Sequence, residues 1–171
     1  MREFRERPFD IGFVGSLGQA IYADRINILE TLVGVDLDLA IWAPFPPNGD
    51  ALRDRFQGSV ARDQLFDVYR QCRMVVNIHG KHMADGGNLS TYEISGSGAL
   101  QLIDAFKPGH FVDGKHLVKY RDVNDLVAKL LDFAERPRDA YDLAVAGAAH
   151  THEQHGFEMR ISELLGILRI R

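Results

Sequence analysis

Asp10-Ile11-Gly12-Phe13-Val14-Gly15, a helical face over residues 22–32, and then Asp38-Leu39-Ala40-Ile41-Trp42-Ala43 form the stretch that decides the fold. The first block is short, apolar and partly branched or aromatic, and it stops at a glycine, as a buried strand does on meeting a tight turn. Tyr22, Ile26, Leu29 and Leu32 recur at three- and four-residue spacing, which is one face of a helix. Gly34 closes that helix, and the second apolar block reads as a second strand. Strand, helix and strand in this order make the unit of a parallel, right-handed crossover.

The pattern continues outward. Pro44, Pro46, Pro47, Asn48 and Gly49 form a loop. Leu65, Phe66, Val68, Tyr69 and Cys72 mark a helix face, and Met74-Val75-Val76-Asn77-Ile78 is the strongest strand signal in the chain. A glycine-bearing loop, His79 to Asn88, leads to a short helix around Tyr92 to Ser95. Ala99 to Ile103 and Val118 to Tyr120 read as two more strands. Val123 to Ala134, Asp139 to about His150 and Phe157 to Leu168 carry helical periodicity, with breaks at Pro137 and Gly156. The strands are almost continuously apolar, so both faces of the sheet are expected to be covered. The fold class expected is α/β: a single Rossmann-like open parallel sheet with helices on both faces and a C-terminal helical segment.

The 171 residues are 46% hydrophobic and 26% charged, ordinary values for a globular domain. They exclude a disordered chain, a collagen-like one and a disulfide scaffold. A chain of this length buries roughly two-thirds of its unfolded surface, enough for one core. A net charge of -4 leaves no general nucleic-acid footprint, so an anionic ligand must be held by local amides and a few cations. Cys72 is the single cysteine, which points to a reducing compartment. No apolar run reaches the roughly 18 to 20 residues that span a bilayer, and the N-terminus lacks a signal-peptide core. A cytoplasmic domain is expected over residues 10–171, preceded by a solvated Arg/Glu tail over residues 1–9.

In sheets of this kind, ligands bind outside the carboxyl ends of the strands. Gly15-Ser16-Leu17-Gly18 follows the first strand, where glycine lets backbone approach a phosphate; the alternative is a tight turn with no ligand. Its spacing is not the dinucleotide fingerprint, and Ala40-Ile41-Trp42-Ala43 lacks the ribose-binding acid. After the strongest strand, His79-Gly80-Lys81-His82 and Asp85 to Glu93 place Gly86, Gly87, Asn88 and Ser90 before a helix, where free amides can hold a diphosphate. Asp85 and Glu93 suit sugar hydroxyls, not phosphates, because like charges repel. Asp104 to Gly109 can close over the ligand. His79 is a candidate ligand at this edge. His150-x-His152-x2-His155 is expected to be solvated surface, since positions two apart do not share a helix face. Cys72, Tyr69, Tyr92 and Trp42 are expected in packing roles.

Phe13-Val14-Gly15-Ser16, Leu65-Phe66-Asp67-Val68-Tyr69, Val76-Asn77-Ile78-His79 and Asn88-x4-Glu93-x4-Gly98-Ala99 follow one another in the chain. Phe111-Val112-Asp113-Gly114, Tyr120 to Leu126 and His155-Gly156-Phe157-x2-Arg160 continue the series. From about Asp10 to Leu168 this order resembles the C-terminal half of GT-B-fold glycosyltransferases, in the spore-maturation-protein-like set of group-one domains. The resemblance implies a donor-binding domain of an enzyme that moves a sugar from a nucleotide diphosphate sugar to an acceptor hydroxyl.

It also implies roles. The family's Glu-x7-Glu motif reads Asp85-x7-Glu93 here, with Glu93 on the ribose and Asp85, a shorter acid, near the transferred sugar with His79. Ser90 stands where the family often has arginine, so Lys81, Arg25 or the partner domain would supply the cation for the diphosphate. Amides at Gly15 to Gly18 and at Gly86, Gly87, Asn88 and Ser90 would stabilise the leaving diphosphate, with no metal required. The implied partners are the nucleotide-sugar donor and an N-terminal acceptor-binding domain or chain. The last helix, with Ile161, Leu164, Leu165 and Leu168, would be partly exposed and open to self-association. The alternatives are a noncatalytic nucleotide or sugar-nucleotide binding module and a nicotinamide-dependent Rossmann enzyme.

Overall fold

The computed structural model describes residues 1–17, 23–79, 88–104 and 107–168. Six strands, β1 (Phe9–Val14), β2 (Leu39–Trp42), β3 (Phe56–Gly58), β4 (Cys72–Asn77), β5 (Leu100–Ile103) and β6 (Val118–Lys119), form one sheet in the order β3-β2-β1-β4-β5-β6. Every pairing is parallel. The chain winds outward from β1 to β3, then returns to the other side of β1 to lay down β4 and continue to β6. The switch point between β1 and β4 is where a sheet of this order opens a crevice for ligands.

Helices cover both faces, as the apolar pattern requires. On one face Ile11, Phe13, Leu39, Ile41, Met74, Val76, Leu100 and Leu102 meet Leu29 and Leu32 of α2 (Ala23–Val33) and Leu52 of α3 (Asp50–Arg53). Leu126, Leu130 and Phe133 of α6 (Val123–Glu135) and Ala140 and Ala144 of α7 (Pro137–Gln154) complete that layer. On the other face Ala40, Trp42 and Val75 pack on Val68 and Tyr69 of α4 (Leu65–Arg70) and Ile94 of α5 (Leu89–Gly96). Each fully buried aliphatic contributes on the order of 1.5–3 kcal/mol relative to exposure. Asp122 caps α6 by accepting from the Asp125 amide at 2.9 Å. Pro137 occupies the first turn of α7, where its missing N–H costs nothing.

Three expectations need correction. The opening Arg/Glu stretch is not a solvated tail: Phe4 of α1 (Arg2–Arg5) is 2% exposed against Tyr141, and Arg7 donates to the carbonyls of Cys72 and Gly98 at 2.8 and 3.0 Å. One aromatic ring among charges is enough to dock the segment, with Arg2, Glu3, Arg5 and Glu6 exposed and Arg7 turned inward. Cys72 opens β4 and does not lie on a helix face, because α4 stops at Arg70. It is a core residue as expected, and burial pushes its thiol up to about 12. β3 carries too few residues for a periodic signal and was not expected. The last helix, α8 (Phe157–Leu168), buries none of its residues, and Phe157 and Ile167 are 85% and 71% exposed. Among the described residues, no helix is long and apolar enough to cross a membrane.

Candidate functional site

The carboxyl edge of the sheet at β1, β4 and β5 gathers the polar side chains. Asn77, the last residue of β4, is buried and exchanges two 3.0 Å hydrogen bonds with Asn88: each side-chain amide donates to the other's carbonyl oxygen. Asn88 is also the N-cap of α5, accepting from the Thr91 amide at 3.0 Å and the Thr91 hydroxyl at 3.1 Å. The start of α5 is thereby tied to the end of a central strand. An asparagine closing the apolar run Met74 to Val76 is the sequence signal for this tie.

His79 lies two residues beyond β4. Its backbone N–H donates to both carboxylate oxygens of Asp104 at 3.0 Å, and its ring Nδ1 lies 2.6 Å from Asp104 Oδ1. The His79 side chain is 5% exposed. The carboxylate assigns the ring proton to Nδ1, which leaves Nε2 to accept from the Asn88 amide at 3.4 Å. Asp104 directly follows β5, the position at which a parallel strand delivers a ligand-facing residue. Tyr120, just past β6, has a buried hydroxyl with no hydrogen-bond partner among the described residues. Burial and the facing Asp104 hold that phenol protonated, with Arg25 acting in the opposite sense.

Arg25 of α2 donates from Nε and Nη2 to the Ile78 carbonyl at 2.9 and 2.7 Å, and from Nη1 to the Ser16 carbonyl at 3.0 Å. These bonds join the turn after β1 to the segment after β4 across the switch point. Gly15 gives its amide to the Trp42 carbonyl at 3.0 Å, so it offers a ligand its missing side chain, not its N–H. A Cβ there would lie 2.9 Å from the Phe13 ring and 3.4 Å from Arg25 Nη1. Beside this turn, Ser16, Leu17 and Ile26 with Pro44 to Asn48 enclose a pocket of about 270 Å³.

Glu93 and Ser90 lie on the first turns of α5, both half-buried. Burial raises the Glu93 carboxyl above its ordinary value, and Arg62 opposes the rise. The Ser90 hydroxyl is hydrogen-bonded to the Tyr69 phenol, whose own proton is held by burial and by the facing Glu93. Arg62, in the short 3-10 turn Arg62–Gln64, was not singled out from the sequence; nothing in its neighbours marks it. Lys81, Asp85 and Gly87, with Gly18, His82 and Gly86, lie outside the described residues.

Of the C-terminal histidines, His152 is exposed as expected, whereas His150 and His155 are half-buried and packed against other side chains. His150 stacks on buried His116 with centroids 4.0 Å apart, and its Nε2 is 3.2 Å from that of His155. His155 Nδ1 accepts from Arg160 at 2.7 Å, and its ring packs on Tyr92 and Phe111. The loop carrying His110 and His116 folds onto the end of α7, a tertiary contact invisible to helical spacing. Burial, Arg160 and the other histidines push His155 down to about 4. Among the described residues, no group of three or more His, Cys, Asp or Glu is placed to hold a metal ion.

Among curated proteins none matches this sequence at a significant level. The fold is shared with solved structures. TarM superposes with a TM-score of 0.71 at 15% identity, covering 94% of this chain and 35% of TarM. The C-terminal domain of a glycosyl transferase group 1 family protein, LpcC, from Francisella tularensis gives 0.65 at 16% identity, covering 91% of this chain and 92% of that domain. HepE from Anabaena, solved in complex with UDP-glucose, gives 0.62 at 14% identity over 92% of this chain and 48% of HepE. The chain thus spans about a third of TarM and about half of HepE, but nearly all of the LpcC domain. A sequence-family model matches most of the chain. Since that match runs over residues 25–166, the chain belongs to the glycosyl transferase-like family.

Proposed function

We propose that this chain is the donor-binding half of a two-domain GT-B glycosyltransferase and holds a nucleotide diphosphate sugar at the carboxyl edge of β1, β4 and β5. The observation that carries the reading is the convergence of the turn after β1, the His79–Asp104 pair and the capped start of α5 on the β1/β4 switch point. In this reading the diphosphate sits at the N-terminus of α5, where helix amides and dipole favour an anion. It is held there without a metal. Glu93, half-buried on the next turn, accepts from the ribose hydroxyls, and Asp85 and Lys81 act on the sugar and diphosphate side. Gly15, Ser16, Gly87 and Ser90 form the walls through which backbone approaches the ligand. Arg25 acts as the strut that holds the two sides of the crevice together.

The acceptor, in the same reading, is held by a second domain or chain, and the isolated chain turns over no donor. The exposed apolar residues of α8 are the surface offered to that partner, with self-association of the isolated chain as the competing contact. A single cysteine that forms no intrachain disulfide supports a cytoplasmic setting. The test is calorimetric titration of the chain with UDP, GDP, ADP and TDP beside Glu93→Ala. Saturable binding of one diphosphate, weakened at least tenfold in Glu93→Ala, is expected. Flat titrations of a folded sample would refute the reading and favour a binding module or scaffold that has lost the site.

A further inference from the structure

Asn77 closes β4 with its side chain buried, and a buried carboxamide is costly unless its polar atoms are paired. Asn88 supplies most of that pairing. The Thr91 N–H donates to the Asn88 side chain at 3.0 Å, which fixes the receiving atom as Oδ1 and the other as Nδ2. Asn88 Nδ2 donates to Asn77 Oδ1, and Asn77 Nδ2 returns a bond to Asn88 Oδ1, both at 3.0 Å. A longer bond runs from Asn77 Nδ2 to the Thr91 hydroxyl at 3.4 Å. Asn88 by itself suffices to cap α5. Asn77 adds a link from that cap to a central strand, which fixes the direction of the first turn of α5 against the sheet.

The cap satisfies the Thr91 amide. It leaves those of Leu89 and Ser90, for which the start of a helix provides no intrahelical acceptor. The Asn88 amide reaches His79 Nε2 at 3.4 Å, longer than the usual range of about 2.7–3.2 Å. We propose that Asn77 is a positioning residue for the donor: through the Asn88 cap it aims the Asn88, Leu89 and Ser90 amides at one phosphate group without itself touching the ligand. The inference rests on the donor-site reading above. Amides fixed before the anion arrives need no ordering when it binds. Aspartate caps a helix as well as asparagine does, but a carboxylate here would repel the phosphate, whereas a tie between two carboxamides adds no charge.

The experiment is titration of the full chain, wild type and Asn77→Val, with UDP, GDP, ADP and TDP at neutral pH. Binding is followed by amide chemical shifts, and circular dichroism checks that each protein is folded. In wild type saturated with its nucleotide, the Asn88, Leu89 and Ser90 amide protons are expected to move downfield together, as charge-assisted donation to a phosphate oxygen requires. Asn77→Val is expected to bind about tenfold to a hundredfold more weakly, the effect of losing a hydrogen bond to a charged group. At saturation it should lose the downfield displacement at Leu89 and Ser90 while Ser16 and Glu93 still respond. A loss of packing alone would lower Tm without singling out those two signals. Asn77→Asp keeps the shape but, when ionised, cannot donate to Asn88 Oδ1; it should bind at least as weakly as Asn77→Val, and it carries the test if the valine variant does not fold. Affinity equal to wild type in either folded variant, with the Leu89 and Ser90 displacements intact, would overturn this inference and leave the donor site standing. No saturable binding of any of the four to wild type would overturn both.

Discussion

Gly147 tests the packing that positions the site. It sits within α7 and is buried against the turn that follows β5, so that a Cβ built on it would lie 2.3 Å from the His116 carbonyl oxygen and 3.7 Å from Ser95 of α5. Real Cβ contacts do not fall below 3.0 Å, so Gly147→Ala forces helix and turn apart by at least about 0.7 Å. Two effects compete. Alanine favours a helix interior over glycine by about 1 kcal/mol, whereas overpacking a filled site costs about 1–3 kcal/mol. Here the obstacle is backbone and not the end of a flexible side chain, which places the cost at or beyond the upper limit. The net expectation is a loss of about 2 kcal/mol. For a domain of this size that is about 4–8 °C in Tm, or a fall of about 1 M in urea midpoint. Thermal and urea unfolding followed by circular dichroism provide the assay, with Gly166→Ala of α8 as the control. Nothing lies within 4 Å of a Cβ at Gly166, so the control should be neutral or slightly stabilising. A Gly147→Ala protein as stable as wild type would refute the packing described between α7, α5 and the His116 turn.

Two further expectations follow from single residues. Arg25→Met should lower stability by about 2–4 kcal/mol in urea unfolding, because charge-assisted bonds to two carbonyls are lost and the Ile78 carbonyl is left unpaired. Arg25→Lys should not restore it, since an ammonium cannot reproduce the planar fork; full rescue by lysine would contradict the strut role. For His155, the folded pKa of about 4 lies below the ordinary 6.5, so between these values the unfolded chain binds more protons. Stability should therefore decline as pH falls from about 6.5 toward 4, and His155→Phe should flatten a plot of Tm against pH over that window. An unchanged slope would refute the assignment.

The sheet was legible in the sequence because parallel strands buried on both faces leave near-continuous apolar runs, and Asp10 to Ala43 contains a complete crossover. Boundaries moved by a residue or two, since apolar runs such as Met74 to Ile78 continue past the last ladder bond. β3 was not legible: Phe56-Gln57-Gly58 pairs only because β2 is already there. Of the candidate site, His79, Asn88, Ser90 and Glu93 were singled out because they follow a strong strand and begin a helix. Arg62, Tyr120 and the role of Asp104 depend on neighbours distant in sequence. The histidines show the limit of local spacing most plainly. His150 and His155 face one another because the helix ends between them and the chain turns, and His116 reaches them from a separate loop.

The most direct test of the donor site is amide chemical-shift mapping of the isotope-labelled chain as UDP, GDP, ADP and TDP are added in turn. One nucleotide should shift the amides of Ser16, His79, Asn88, Ser90 and Glu93 together, saturating with a single constant, while α8 and the far ends of the strands stay still. Saturable shifts confined to another face, such as the α7–α8 junction, would contradict the account, because the ligand would then bind away from the β1/β4 switch point.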